Sequence, residues 1–158
     1  MIIIDDVKAC EMRHDTYLVE ASASLSEFEF YSEGPKGRIK KRIKITPFGT
    51  DSTVYNLAFG DIGVSGEIDD LIVTNNNDSQ KVLATVAHTA YYFFEKYPQC
   101  FIYAAGSTKA RTRLYRMGIA NNLAEITVDF VVYGFCDNGW EIFERGKEYE
   151  AFLIKKKS

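Results

Sequence analysis

The chain has 158 residues and a formal net charge of −3, which is the length of one ordinary domain and too little positive charge for a dedicated duplex-DNA binder. Hydrophobic residues make up 46% and charged residues 26%, a globular balance that excludes wholesale disorder. Aromatics at 14% are numerous enough to supply a bulky core or an adhesive face.

The amino terminus, Met1-Ile2-Ile3-Ile4, turns acidic at Asp5 and Asp6 and is too short an apolar run for a signal-peptide core. Residues 1–26 are weakly patterned. Glu27 to Phe30 alternates, Gly34-Pro35-Lys36-Gly37 marks a turn, and residues 38 to 46 alternate again, which predicts a hairpin. Val54 to Phe59 is a third strand with Tyr55, Leu57 and Phe59 on one face. The loop 60–70 collects acids, and Leu71-Ile72-Val73 reads as a short buried strand. Asn75 to Asp78 supplies cap residues for a helix over 79–96, whose wide apolar stripe includes Val82, Val86, Ala90 and Phe93.

Phe101 to Ala105 is a buried strand, followed by a helix from about 108 to 117 that Gly118 ends as a left-handed cap. Glu125 to Phe135 reads as a long strand, Asp137-Asn138-Gly139 as a hairpin turn into Trp140 to Phe143, and Tyr149 to Ile154 as a last strand before a frayed basic tail at 155–158. The expected fold is one α+β domain. It has a single mixed, largely antiparallel sheet and two main helices, in the order β-β-β-β-α-β-α-β-β-β.

The sharpest functional signal is the strand-to-helix junction at Gly106 to Arg116. A helix start leaves backbone N–H groups unpaired and carries about half a positive charge, so it favours an anion. Gly106 permits close backbone approach, and Ser107 or Thr108 can cap the helix or bind an oxygen. Lys109, Arg111 and Arg113 then place cations where acids normally sit, a local conflict that a bound phosphate or carboxylate would relieve. Helical spacing puts Ala110, Leu114 and Met117 toward the sheet, and Lys109, Thr112, Arg113 and Arg116 on a basic stripe opposite. The candidate anion-binding set is Gly106, Ser107, Thr108, Lys109, Arg111, Arg113 and Arg116. The plainer account is a solvated basic face answered by Asp61, Glu67, Asp69 or Asp70. The P-loop and dinucleotide-fold spacings are both absent.

A second cationic set, Arg38, Lys40, Arg42 and Lys44, alternates along one strand with residues roughly 6.6 Å apart, near the spacing of phosphates on a single strand. The simpler account pairs that face with Glu27, Glu29 and Tyr31 across the hairpin. The acids Asp61, Glu67, Asp69 and Asp70 offer oxygen ligands for a divalent cation. They lack the EF-hand spacing, and a solvated or charge-answering loop explains them more simply. His88 sits mid-helix and His14 in the weakly patterned start, with no spacing that makes either a catalytic base. Cys10, Cys100 and Cys136 form no C-x-x-C pair, so neither a disulfide framework nor a zinc site is indicated. No apolar stretch nears the ~20 residues of a membrane span. A reducing cytoplasm is the expected location, and no metal or cofactor is expected.

The run from Tyr103 to Ile119, Y-A-A-G-S-T-K-A-R-T-R-L-Y-R-M-G-I, resembles the signature of a family of small bacterial proteins of unknown function. Val82 to Val86 and Tyr149 to Ile154 fit the same pattern, and the resemblance spans about residues 27 to 155. It implies a common fold and carries no chemistry. The strand-helix-strand-helix-strand order with Leu114 to Ile119 is also similar to the GNAT acetyltransferases. That likeness implies an acetyl-CoA cradle before the first long helix, where this chain reads Asn75-Asn76-Asn77-Asp78-Ser79-Gln80, without glycine and with an acid.

Two functional readings follow. One is a binding or interaction module that takes a nucleotide, a nucleic acid or an acidic protein partner at the junction, with toxin–antitoxin or phage-defence pairs as an analogy of setting. The other is a diverged acyltransferase or phosphate-handling enzyme, with Ser107, Thr108, Arg111, Arg113 and Tyr115 lining its site. No catalytic motif decides between them.

Overall fold

A computed structural model describes residues 15–69 and 75–157 together with a strand at Ile2–Ile4. The strands are β1 (Ile2–Ile4), β2 (Val19–Ala21), β3 (Glu27–Gly34), β4 (Gly37–Phe48), β5 (Asp51–Ile62), β6 (Ile68–Asp69), β7 (Phe101–Ala104), β8 (Phe130–Cys136), β9 (Gly139–Ile142) and β10 (Ala151–Lys156). Among the described residues three helices join them: α1 (Ser79–Lys96), α2 (Lys109–Asn121) and α3 (Leu123–Asp129). All strands belong to one mixed sheet with the order β1-β2-β3-β4-β5-β7-β10-β8-β9, and β6 adds to β5. Only β5 and β7 run parallel among the described pairs. This is the expected α+β class, with a helix more than expected.

Alternation sets the two faces of the sheet. Phe28, Phe30, Ile43, Ile45, Leu57, Phe59, Ile102 and Phe152 point to one side, where they form the core with Val82, Phe93 and Phe94 of α1. Tyr55 leans on the Phe93 and Tyr97 rings at 5.0 and 5.6 Å. All three helices cover this inner face. They enclose with it an apolar cavity of about 60 Å³ bordered by Leu57, Ala90, Ile102, Tyr115, Ile126 and Phe130.

α1 spans the residues read from its periodicity. Asp78 stands at its N-cap without bonding the helix backbone, because the carboxylate is engaged elsewhere. It accepts hydrogen bonds from the Tyr17 hydroxyl at 2.6 Å and the Ser32 hydroxyl at 2.5 Å. Asn76 is buried beside it. Its side-chain amide donates to the Gly37 carbonyl at 2.9 Å and its Oδ1 accepts from Lys36 N at 2.7 Å. The loop before α1 is therefore clamped onto the β3–β4 hairpin.

Four expectations need correction. Gly118 does not end α2 in a left-handed cap: it is helical and packs on α1, where an added Cβ would lie 3.2 Å from Leu83 Cβ. Glycine here serves helix–helix approach, and α2 continues to Asn121. Residues 125–129 are helix α3, not strand. Their β-branched composition reads as extended, but Ile126 is buried among the helices and the Glu125 carbonyl accepts from the Tyr91 hydroxyl at 3.1 Å, so tertiary packing overrides propensity. The segment 60–70 is not all loop, since Ile68–Asp69 pair with β5. Lys155 and Lys156 are not frayed but are the end of β10, registered against Val131 and Phe130. The strand read at Leu71–Val73 lies outside the described residues, as do Asp70, His14 and Cys10.

Candidate functional site

β7 delivers the chain to the junction, and the turn is built around Gly106. A Cβ at Gly106 would stand 2.4 Å from Thr112 N, so only glycine lets the incoming strand rest against the first turn of α2. The Gly106 N–H donates to Thr112 Oγ1 at 3.1 Å, and that hydroxyl donates on to the Thr108 carbonyl at 3.2 Å. Thr108 is the N-cap, with extended backbone and its Oγ1 accepting from Arg111 N at 3.2 Å. Among the described residues, the amides of Lys109 and Ala110 have no acceptor, as a helix start requires.

The cations divide. Lys109 and Arg113 are exposed, and among the described residues neither has a carboxylate within 4 Å. No acid occupies the first turn of α2. Arg116 is half-buried, and its guanidinium donates to the Lys147 carbonyl at 3.4 Å. Arg111 lies apart from them. It is only 4% exposed and its guanidinium reaches to β5, where one nitrogen lies 3.0 Å from the place of a Cβ on Gly60. Its charge lies in the interior beside the end of β5.

The reading of helix faces changes with it. The buried positions of α2 are Arg111, Tyr115, Gly118 and Ile119, whereas Ala110 and Met117 are exposed and Leu114 is half-buried. Because α2 runs on through Gly118, its inward stripe centres on Tyr115 and Ile119. The exposed part of the candidate set is then Ser107, Thr108, Lys109 and Arg113.

The β4 cations lie together on the outer sheet face, as their alternation requires, but opposite carboxylates in register. Glu33, Tyr31, Glu29 and Glu27 of β3 stand across from Arg38, Lys40, Arg42 and Lys44. Arg42 bonds Glu29 at 2.6 Å and Glu27 at 3.4 Å, Lys40 meets Glu29 at 3.3 Å, Arg38 meets Glu33 at 3.3 Å, and Lys44 approaches Glu67 at 3.8 Å. Burial opposes the charged form of Glu29, yet the hydrogen bonds from Arg42 and Lys40 outweigh it and hold the carboxyl below its ordinary range. Each of these four cations thus has a carboxylate within 4 Å.

Two further clusters escaped the sequence reading. Lys41 and Asp61 are both nearly sealed from water, 3% and 6% exposed, and bond each other as cross-strand partners. The signal was present: each is a charged residue in the apolar phase of its strand, Ile39-Lys41-Ile43 and Leu57-Phe59-Asp61. At the other end of the sheet, Glu141 accepts from Lys147 at 2.7 and 2.8 Å, Tyr149 at 2.9 Å and the Cys136 thiol at 3.4 Å. Those hydrogen bonds, Lys147 first, hold the Glu141 carboxyl low, and Glu141 in turn raises Lys147.

His88 is buried within α1, with its ring 5.2 Å from that of Tyr92. Asp61 and Glu67 are each engaged by a lysine, so these acids answer basic residues rather than converge with one another. Where the GNAT likeness implies an acetyl-CoA cradle, the Asp78 carboxylate accepts from the Tyr17 and Ser32 hydroxyls. No helix among the described residues is long and apolar enough to cross a membrane.

Fold and site together define a one-sheet α+β domain that offers an exposed pair of cations at a helix start. The chain belongs to the family of unknown function DUF6934, whose model matches residues 13–157. No curated protein and no solved structure matches it.

Proposed function

We propose that this protein is a binding module that takes a phosphate-bearing ligand, or a carboxylate of an acidic partner, at the start of α2. Ser107, Thr108, Lys109 and Arg113 supply the contacts, and the Lys109 and Ala110 amides point the helix dipole at the anion. The observation that carries this reading is a contrast between cations. Those of β4 are ion-paired with Glu29, Glu33 and Glu67, whereas Lys109 and Arg113 stand without a carboxylate among the described residues, Lys109 in the first turn of α2, where positive charge is least favourable. Arg113 brings the planar fork that grips phosphate or carboxylate bidentately.

The test is a titration of the purified protein with ATP, and separately with inorganic phosphate, followed by backbone amide NMR shifts. Shifts confined to Ser107–Arg113 that weaken with added salt and vanish in Arg113→Ala support the reading. A spectrum unmoved at the junction by either probe at low salt sinks it.

A further inference from the structure

A cleft of about 640 Å³ opens at the start of α1, and its border includes Tyr17, Glu33, Asn77, Asp78, Gln80 and Lys81. That volume lies in the range of small-molecule sites, roughly 300–1,000 Å³. Each of these six side chains ends in a polar group, so the cleft is not a place for an apolar ligand. It shares no residue with the junction at the start of α2.

One wall of the cleft is a carboxylate withheld from its local duty. An Asp at an N-cap ordinarily accepts from the helix amides, yet Asp78 makes no such bond. Its Oδ2 accepts instead from the Tyr17 and Ser32 hydroxyls. Ser32 is fully buried and accepts in turn from the side-chain amide of the buried Asn76 at 3.2 Å. On the other side, the Tyr17 amide donates to Thr85 Oγ1 at 2.9 Å and the Tyr17 ring stacks on Phe30 at 5.7 Å. A buried polar network satisfied in this way holds its members rigidly, and here it fixes a carboxylate at the edge of a cleft. Both hydroxyls sit on Oδ2, so Oδ1 has no hydrogen-bond partner among the described residues.

The lining sets two carboxylates, Glu33 and Asp78, against one ammonium, Lys81. Glu33 also meets Arg38 at 3.3 Å, but both side chains are more than 60% exposed, and a surface pair of that kind is worth too little to withdraw Glu33 from a ligand. The side-chain carbonyls of Asn77 and Gln80 add further acceptors. A primary ammonium is the complement of such a lining, with three donors and no acceptor. The protein's own example is in place: the Lys81 ammonium lies over the Tyr17 ring at 4.3 Å, the arrangement in which an aromatic face holds a cation. We propose that this cleft is a second binding site and takes a small primary alkylammonium, bound at Asp78 Oδ1 and Glu33. Lys81 is its built-in competitor, an ammonium on the same ring. A phosphate or carboxylate would meet the excess negative charge, and a neutral sugar would leave it unanswered.

The test is amide NMR of the wild type at low salt, titrated with butylamine and separately with glucose and with sodium acetate. Butylamine is expected to shift the amides of Tyr17 and of residues 78–81 and to leave residues 107–113 in place. Asp78→Asn keeps the shape and the acceptors but removes the charge, so it should weaken binding about 10-fold or more. Lys81→Met should strengthen it a few-fold, because it clears an ammonium from the ring and leaves both carboxylates to the ligand. A purely structural role for this network produces no such gain. Should Asp78→Asn fail to fold, Lys81→Met carries the test alone. A wild type whose cleft amides stay still at millimolar butylamine overturns the inference. So does a folded Asp78→Asn variant of unchanged affinity, a Lys81→Met variant of weakened affinity, or an equal response to glucose or acetate.

Discussion

The Lys41 ammonium of β4 bonds the Asp61 carboxylate of β5 directly across the sheet, on the face that the helices cover. Such a pair gives little net stability over an apolar one, but removing one partner strands the other charge away from water. Lys41→Met should therefore cost about 3 kcal/mol in urea unfolding. Lys41→Met combined with Asp61→Leu should recover most of that loss. A double variant as unstable as the sum of the singles would show that the two residues do not act as a pair.

Tyr149 lies flat on Gly134 of β8, where a Cβ would fall 2.4 Å from the ring. The ring is held by its hydroxyl, which donates to Glu141 and accepts from Glu144 N, so it cannot swing away. Gly134→Ala should then destabilise by about 2–3 kcal/mol through overpacking. Adding Tyr149→Leu should return part of this, and thermal melts of the three variants measure it.

Acid should weaken the sheet through Glu29. Its folded carboxyl titrates below the ordinary Glu value because Arg42 and Lys40 bond it despite burial. In the interval between the folded and unfolded values the unfolded chain holds the extra proton, so stability rises with pH there. The contribution is complete above the unfolded Glu value of about 4.3 and is lost as pH falls through the folded one. Glu29→Gln should flatten the acid limb of the stability–pH curve. An unchanged limb would remove Glu29 as its cause.

Lys109 offers a test that separates binding from stability. A cation in the first turn opposes the helix dipole, and an acid there favours it, by about 0.3–1 kcal/mol each way. Lys109→Glu is thus expected to raise the melting temperature while abolishing the phosphate-induced shifts at Ser107–Arg113. A variant that is both less stable and still responsive would contradict the account of the junction.

The strands and the first helix were legible because their periods are clean. Ile43 and Ile45 against Arg42 and Lys44 give the faces of β4 outright, and the α1 stripe is wide. What stayed hidden depends on contacts between elements far apart in sequence. Gly118 looks like a helix end until Leu83 is seen against it. Residues 125–129 look extended until Ile126 is seen among the helices. Arg111 looks like a surface cation because helical spacing alone does not say which side of α2 meets the sheet. The β4 cations could be paired on paper, since Glu27 and Glu29 sit at matching positions in the hairpin. The rings of Phe48, Tyr103, Trp140 and Phe135 come from β4, β7, β9 and β8, and only the strand order brings them into contact.

The one parallel pairing among the described residues, Val54 to Asn56 of β5 beside Phe101 to Tyr103 of β7, divides the sheet at a point that also divides the chain. Strands β1 to β6 come from residues 2–69 and strands β7 to β10 from residues 101–156, and each set is held together by antiparallel neighbours. Parallel pairs are somewhat weaker per residue and need a long crossover, supplied here by the segment that contains α1. The two sets of strands thereby meet along a short seam. Hydrogen exchange should find the amides at that seam released together in a sub-global opening, ahead of the amides inside either half.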